Sequence, residues 1–162
     1  MLLGEKILRK IFKGYDEKQY QPNSIDLKLG RVYTEDLKMS EIGLFNGKKF
    51  LPNYKEVETF KVDGKDCYRL LSGQAYWFEI EPAMEIPDDV AQFYLPRSSL
   101  LRCGVSLHTA LGDSGFKGHL MFLAINNCKH TVIIGKGERV ATAINFEVED
   151  GSLYDGDYNE EL

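Results

Sequence analysis

Turn residues cut this chain into short β-type runs, and little else in it can nucleate a different architecture. "YRLLSGQAYWFEIE", "MEIPDDVAQFYLP", "GHLMFLAINN" and "HTVIIGKGERVATAINFEV" are rich in β-branched and aromatic residues, and Gly, Pro, Asp or Asn separates each from the next. Side chains that are branched or bulky at Cβ pack well on a pleated surface and lose freedom in a helix. Short runs punctuated this often, with hardly any long helical pattern beside them, predict an all-β sandwich or barrel.

Local signals refine that reading. In "YQPNSIDLKLGRVY" the apolar residues Ile25, Leu27 and Leu29 alternate with polar ones, which predicts a half-buried strand. The pairs Asn46-Gly47 and Asp63-Gly64 suit hairpin turns that need positive φ. Within residues 1–13, Leu3, Ile7, Leu8 and Ile11 recur at helical spacing among charged residues, so a short amphipathic helix is expected there, stopped by Gly14. The run "LMFLAI" is apolar at every position, so both faces of that strand want cover, from a second sheet or from a neighbouring subunit. A chain of 162 residues reads as one domain spanning 1–162. Its acidic, Gly-containing end, 150–162, is expected to be mobile without a partner.

Composition excludes several functions. A net charge of -5 argues against binding polymeric nucleic acid, whose partners are usually basic, while leaving room for a locally positive pocket that takes a small anion. Cys67, Cys103 and Cys128 are odd in number and form no CxxC, so buried free thiols are expected rather than a disulfide framework. His108, His119 and His130 have no metal-ligand spacing, and the HxE and PCxxC of zinc deaminases are missing. "GKGER" lacks the spacing and ending of a phosphate-binding P-loop. The opening residues carry charges through their apolar positions, so neither a leader nor a membrane span is expected, and the cytoplasm is the expected compartment.

The stretch "LPRSSLLRCGVSLHTALGDSGFKGHL" stands apart from these core-forming runs. Arg97 carries a planar fork of donors that matches phosphate oxygens, Ser98 and Ser99 add hydroxyls, and Arg102 adds a second cation. The same triplet could instead cap carbonyls at a surface turn. Asp113, among small residues and glycines, either stabilises a turn through its own backbone, bonds a sugar hydroxyl, or holds a water for in-line attack on phosphorus. Phe116 is either core or an aromatic floor under a deoxyribose.

Taken in order, "QPNSIDLKLG", "LLSGQAYWFEIEPAMEIPDDVAQFYLPRSSLLRCGV", "GDSGFKGHL" and "GKGERVATAINFEV" resemble the trimeric dUTPase and dCTP deaminase superfamily over most of Leu2 to Glu149. The resemblance implies a distorted jelly roll, the dUTPase-like β-clip, assembled as a homotrimer with active sites between subunits. It implies a deoxynucleoside triphosphate, dUTP or dCTP, bound with Mg²⁺ that is held through the triphosphate and waters, with no direct protein ligand. By the same resemblance Arg97, Ser98 and Ser99 hold phosphates, and Arg102 falls where deaminases carry a further arginine. Thr109, Ala110 and Leu111 fall in the nucleoside-binding hairpin, Phe116 under the deoxyribose, and Asp113 on the aspartate that orients the hydrolytic water. Asp26 and Arg139 fall on the first and fourth family motifs. Tyr154 and Tyr158 resemble the tyrosines that end deaminase-type chains, where they can close as a lid.

One position separates the two activities. Zinc-independent deaminases of this kind carry a glutamate on the strand after the "GDSGFKG" equivalent, and the aligned residue here is Leu123. Leucine neither donates nor accepts a proton, and losing a general acid–base usually costs about two to four orders of magnitude in rate. Hydrolysis of dUTP to dUMP and pyrophosphate, with water positioned by Asp113, is therefore the expected activity. The alternatives are a dCTP deaminase, including a bifunctional one, and a non-catalytic nucleotide-binding homologue. Three features differ from dUTPases: a shorter spacing from Arg97 to Asp113, no glycine-rich C-terminal arm, and Thr142 in place of a glutamine.

Overall fold

The structure is a computed structural model that describes residues 1–161. Along the chain, α1 (Glu5–Ile11) leads through a 3-10 turn (Glu17–Gln19) to β1 (Tyr20–Gln21) and the long β2 (Ser24–Asp36). A small hairpin of β3 (Gly43–Phe45) and β4 (Lys48–Phe50) precedes β5 (Asn53–Glu56), β6 (Phe60–Val62), β7 (Lys65–Leu70) and β8 (Ala75–Glu81). Then come β9 (Met84–Glu85), β10 (Val90–Pro96), the five-residue helix α2 (Ser98–Arg102), β11 (Val105–His108), β12 (Lys117–Gly118), β13 (Met121–Asn126), β14 (Val132–Gly135) and β15 (Arg139–Glu147).

The main sheet is antiparallel and runs β10-β15-β2-β8-β13-β11, with β1 and β5 paired along β2. β11 returns beside β10, where Thr109 Oγ1 donates to Tyr94 O at 3.4 Å, so the sheet nearly closes into a barrel. Smaller sheets, β14-β7-β6 and β12-β9, pack against it. The alternation read in β2 places Leu27 and Leu29 inward, in one core with Phe78 and Ile80 of β8 and Phe122 and Ala124 of β13, all but fully buried. Burying such side chains stabilises by roughly 1.5–3 kcal/mol each, which is what holds these strands in register.

Both expected hairpin turns form. Asn46 and Gly47 take φ of 49° and 72°, and Asp63 and Gly64 take 48° and 80°, the doubly left-handed pattern that matches the twist of paired strands. α1 forms within the expected segment and buries Leu8, but Ile7, assigned to the same face, is 43% exposed. β2 runs well past the expected Leu29, because a bulge between Leu29 and Val32 bends it and hands its second half to β5. The outer face of the "LMFLAI" strand is half covered within the chain: Leu123 and Ile125 are intermediate and Met121 is 42% exposed. No described helix is long and apolar enough to cross a membrane.

Candidate active site

Three neighbouring strands bring one acid and two arginines together. β10 pairs with β15 so that Pro96 faces Ala141, and Arg97 N–H donates to Val140 O at 2.9 Å. β15 pairs with β2 so that Thr142 faces Asp26 and Arg139 faces Lys28. The result is a shared carboxylate oxygen. Asp26 Oδ2 lies 3.1 Å from Arg97 Nε and 3.0 Å from Arg139 Nη1. The Asp26 side chain is 3% exposed, whereas Arg97 and Arg139 are 27% and 28% exposed. Burial lifts the Asp26 carboxyl above its usual range, and the charges of Arg97 and Arg139 oppose that lift. Two cations around one acid leave the cluster net positive, and the partly exposed Arg97 side chain donates no other bond among the described residues. That geometry suits a phosphate.

Ser98 and Ser99 open the short helix α2, with Arg97 as its N-cap residue. Ser98, Ser99 and Arg102 are all exposed. Ser99 and Arg139 also rim an open cleft of about 500 Å³ with Leu100, Ile134 and Val140 among its apolar lining.

Asp113 sits elsewhere. Gly112 exchanges two main-chain bonds with Gln92, 2.8 and 2.9 Å long, which pins the start of the loop to β10. Only glycine fits there: a Cβ would stand 2.2 Å from the Tyr94 hydroxyl. Beneath it runs a buried polar chain, Tyr94 Oη donating to Gln92 Oε1 at 2.8 Å and Gln92 Nε2 to Asn145 Oδ1 at 2.7 Å. Burial pushes the Tyr94 hydroxyl far up, with the charges of Tyr15 and Asp113 adding to the effect. The turn after Asp113 is closed by its carbonyl, which accepts from Phe116 N–H at 3.1 Å. Its carboxylate is exposed and bonds to nothing among the described residues. The turn-stabilising role open to that side chain is therefore not used.

The remaining candidates divide. The main-chain N–H groups of Thr109, Ala110 and Leu111 donate to no described residue, and all three residues are exposed. Phe116 is buried, 9% exposed, with the Tyr154 ring edge-on at 5.4 Å. Tyr158 is exposed, and the Lys49 ammonium lies 5.1 Å from its ring. The Gln92–Tyr94–Asn145 chain that carries the loop was missed in the sequence. Its signal was polar residues at inward positions of β10 and β15, where an apolar residue is the norm.

Leu123 lies on the outer face of β13, across from Trp77 on one side and His108 on the other. Glu79, on the same face of β8, is held by Arg31 at 2.8 and 3.1 Å and by Tyr33 Oη at 3.2 Å. It is not a free base for that position. Among the described residues no three His, Cys, Asp or Glu side chains gather where they could hold a metal ion.

The chain is similar to known proteins over nearly its full length. A Methanopyrus kandleri protein named as a probable deoxyuridine 5'-triphosphate nucleotidohydrolase is 47% identical over 158 residues, covering 98% of this chain and 99% of the relative. A Methanothermobacter thermautotrophicus protein of the same name is 39% identical over 160 residues, covering 99% and 100%. The Methanocaldococcus jannaschii deoxyuridine 5'-triphosphate nucleotidohydrolase is 31% identical over 159 residues, covering 98% of each. Among solved structures, the dCTP deaminase of Agrobacterium tumefaciens superposes with a TM-score of 0.64 at 17% identity, over 88% of this chain and 46% of that one, a likeness of fold. The family model described as dCTP deaminase-like matches residues 2–147, and the chain belongs to that family.

Proposed function

We propose that this protein hydrolyses dUTP to dUMP and pyrophosphate, the activity named for its relatives of 47% and 39% identity. The observation that carries the reading is Asp113: a carboxylate on a pinned loop, exposed and unbonded, beside an aromatic residue and unpaired main-chain donors. Asp113 holds a water and takes its proton as the water oxygen bonds the α-phosphorus. The bond to the β-phosphate breaks, and pyrophosphate leaves with that electron pair. Arg97, Ser98 and Ser99, with Arg102 nearby, hold the phosphates, and Asp26 and Arg139 keep the Arg97 fork in place. Charge stabilisation of this kind is the main thing phosphoryl transfer asks of a protein.

A positive cluster without a carboxylate cage fits Mg²⁺ that arrives on the triphosphate and keeps its waters. When bound, that ion neutralises phosphate charge. The free N–H groups of Thr109, Ala110 and Leu111 suit a base read by main-chain bonds, with Phe116 at the sugar.

The active unit is a homotrimer whose sites lie between protomers. Gln92 holds the Asp113 loop and Arg97 lies five residues farther on, just past the end of β10, so the two groups of one chain stand roughly 16 Å apart at ~3.3 Å per residue. Phe93, Leu95, Phe146 and Leu111 are 53%, 51%, 37% and 50% exposed. Phe93 and Leu95 lie on the outward face of β10, which leads to Arg97 just beyond the strand, so that apolar surface continues to the arginine cluster. It suits another copy of the chain bringing its Asp113 to this Arg97.

Deamination of dCTP is disfavoured by Leu123 and by the engagement of Glu79. The test is turnover of dUTP, dCTP and dTTP with Mg²⁺, assayed for both pyrophosphate and ammonia. Pyrophosphate from dUTP without ammonia from dCTP is expected. Ammonia from dCTP overturns the argument from Leu123, and tight binding without turnover makes the protein a non-catalytic homologue.

A further inference from the structure

The loop 112–116 is tied to the run 86–92, which follows β9 and opens β10, on both sides of Asp113. Gly112 exchanges its two main-chain bonds with Gln92. Ser114, buried, donates its Oγ to Val90 O at 2.9 Å. Gly115 N–H donates to Ile86 O at 3.1 Å, and Ile86 N–H donates back to Phe116 O at 2.9 Å. Exposed Asp113 thus stands between two buried anchors, Gly112 and Ser114.

Tyr94 completes the first anchor. A Cβ at position 112 would stand 2.2 Å from the Tyr94 hydroxyl, so that hydroxyl occupies the space a side chain would take. Gly112 is not among the glycines with positive φ, so space alone excludes a larger residue there. The hydroxyl is itself held in one direction. It donates to Gln92 Oε1 at 2.8 Å, Gln92 Nε2 donates to Asn145 Oδ1 at 2.7 Å, and Asn145 Nδ2 donates to Ala143 O at 3.0 Å. A main-chain carbonyl accepts and never donates, so the last bond orients both amides and, through them, the Tyr94 proton. All three side chains are buried, where leaving one of these polar groups unpaired costs more than an ordinary hydrogen bond returns. Apolar packing alone would leave the loop free to slide by fractions of an ångström. A directional chain that ends against a glycine does not.

We infer that Tyr94 and Ser114 are positioning residues for Asp113: from its two sides they set the height of the loop over β10, and so the place of the carboxylate, without touching the nucleotide. The kinetic part rests on the proposed function, whereas the matched fit of Tyr94 and Gly112 is read from the contacts.

The test joins a double-mutant cycle to kinetics. Gly112→Ala lowers the melting temperature in the otherwise native chain, and lowers it less in a Tyr94→Phe background, where the hydroxyl that meets the new Cβ is gone. Equal losses in the two backgrounds overturn the matched fit. Tyr94→Phe keeps its ring 5.0 Å from that of Phe122, so the fold is retained. In turnover of dUTP with Mg²⁺ it lowers kcat by about ten-fold, short of the roughly 10²-fold that a misplacement of about 1 Å costs, and leaves KM within about two-fold. Ser114→Ala, which frees the other anchor, gives the same split. Tyr76→Phe serves as the comparison for stability alone: its hydroxyl accepts from Leu71 N–H at 2.8 Å in the β7–β8 turn, and its removal leaves kcat unchanged. Full kcat in Tyr94→Phe or in Ser114→Ala overturns the positioning role, as does an equal fall in Tyr76→Phe or an effect confined to KM. A wild-type protein that turns over no dUTP sinks the proposed function and leaves the melting cycle to decide the fit.

Discussion

If the site is shared between protomers, two dead variants mixed together must partly revive each other. Within one chain the Asp113 loop is tied to Gln92, and Arg97 lies five residues on, roughly 16 Å away at ~3.3 Å per residue of strand. On the proposed reading a water-positioning carboxylate and a phosphate-holding arginine reach the same triphosphate, so each site would take Asp113 from one protomer and Arg97 from its neighbour. Asp113→Asn alone lowers turnover by about two to four orders of magnitude as a lost base, and Arg97→Ala removes the phosphate fork. In hybrid trimers formed from equal amounts, about half the protomers carry native Asp113 and about half native Arg97, independently at each interface. Roughly a quarter of the sites then hold both, and pyrophosphate release returns to about a quarter of the wild-type rate. Differently tagged variants, unfolded and refolded together and checked for hybrids by native mass, provide the assay. Hybrids no more active than the separate variants would place both residues in one chain's site and refute the shared-site argument.

Asp113→Asn should keep its melting temperature, within the ±0.5 kcal/mol usual for exposed positions, because its carboxylate is exposed and bonded to nothing described; a clear loss of stability shows a structural role instead. Asp26→Asn should be at least as stable as the wild type at pH 7 while weakening substrate binding, since Arg97 and Arg139 are partly exposed and can hydrate. The sign comes from burial raising the folded carboxyl above its usual range: its contribution is fully present below the unfolded value near ~4 and is lost as pH rises through the raised folded value. Melting curves from pH 4 to 7 should therefore favour the variant increasingly as pH rises, and a lower melting temperature at pH 7 contradicts this. Gly112→Ala puts a Cβ 2.2 Å from the Tyr94 hydroxyl and 2.8 Å from Ile86 Cδ1. Overpacking of that kind costs about 1–3 kcal/mol, a melting temperature lower by roughly 3–10 °C, and an unchanged melting temperature means the loop is not pinned as described.

The features legible in the sequence are local ones. Alternation places Leu27 and Leu29 inward, and the positive-φ pairs Asn46-Gly47 and Asp63-Gly64 form hairpins, because a strand's period and a turn's steric demand belong to neighbouring residues. The continuation of β2 to Asp36 was not legible, since the bulge after Leu29 resets the alternation. Nor was α2, whose five residues are too few to display a helical period and whose N-cap is an arginine. The acidic end reads as a solvated tail because composition says nothing of its main-chain bonds to Ser114 and Lys117. In the candidate site, residue types suggested roles for Arg97 and Asp113, but the contact of Asp26 with Arg97 and Arg139 depends on the strand order β10-β15-β2, which sequence spacing does not encode.

Hydrolysis and deamination make separable demands on this scaffold. Hydrolysis acts at phosphorus, where a held water, a proton acceptor and positive charge suffice, and nothing on the base has to react. Deamination needs those binding groups and also a side chain at the ring that takes a proton and returns it. At that position this chain has Leu123 between Trp77 and His108, while Glu79 is bound in the Arg31 fork. Replacing a ring-side acid by leucine thus removes one chemistry and leaves the requirements of the other intact, whereas no change at position 123 could spare a phosphate site that lacked Asp113 or Arg97. On the proposed assignment of Asp113 and Arg97, the asymmetry lets a chain in a dCTP deaminase-like family lose deamination and keep hydrolysis of dUTP.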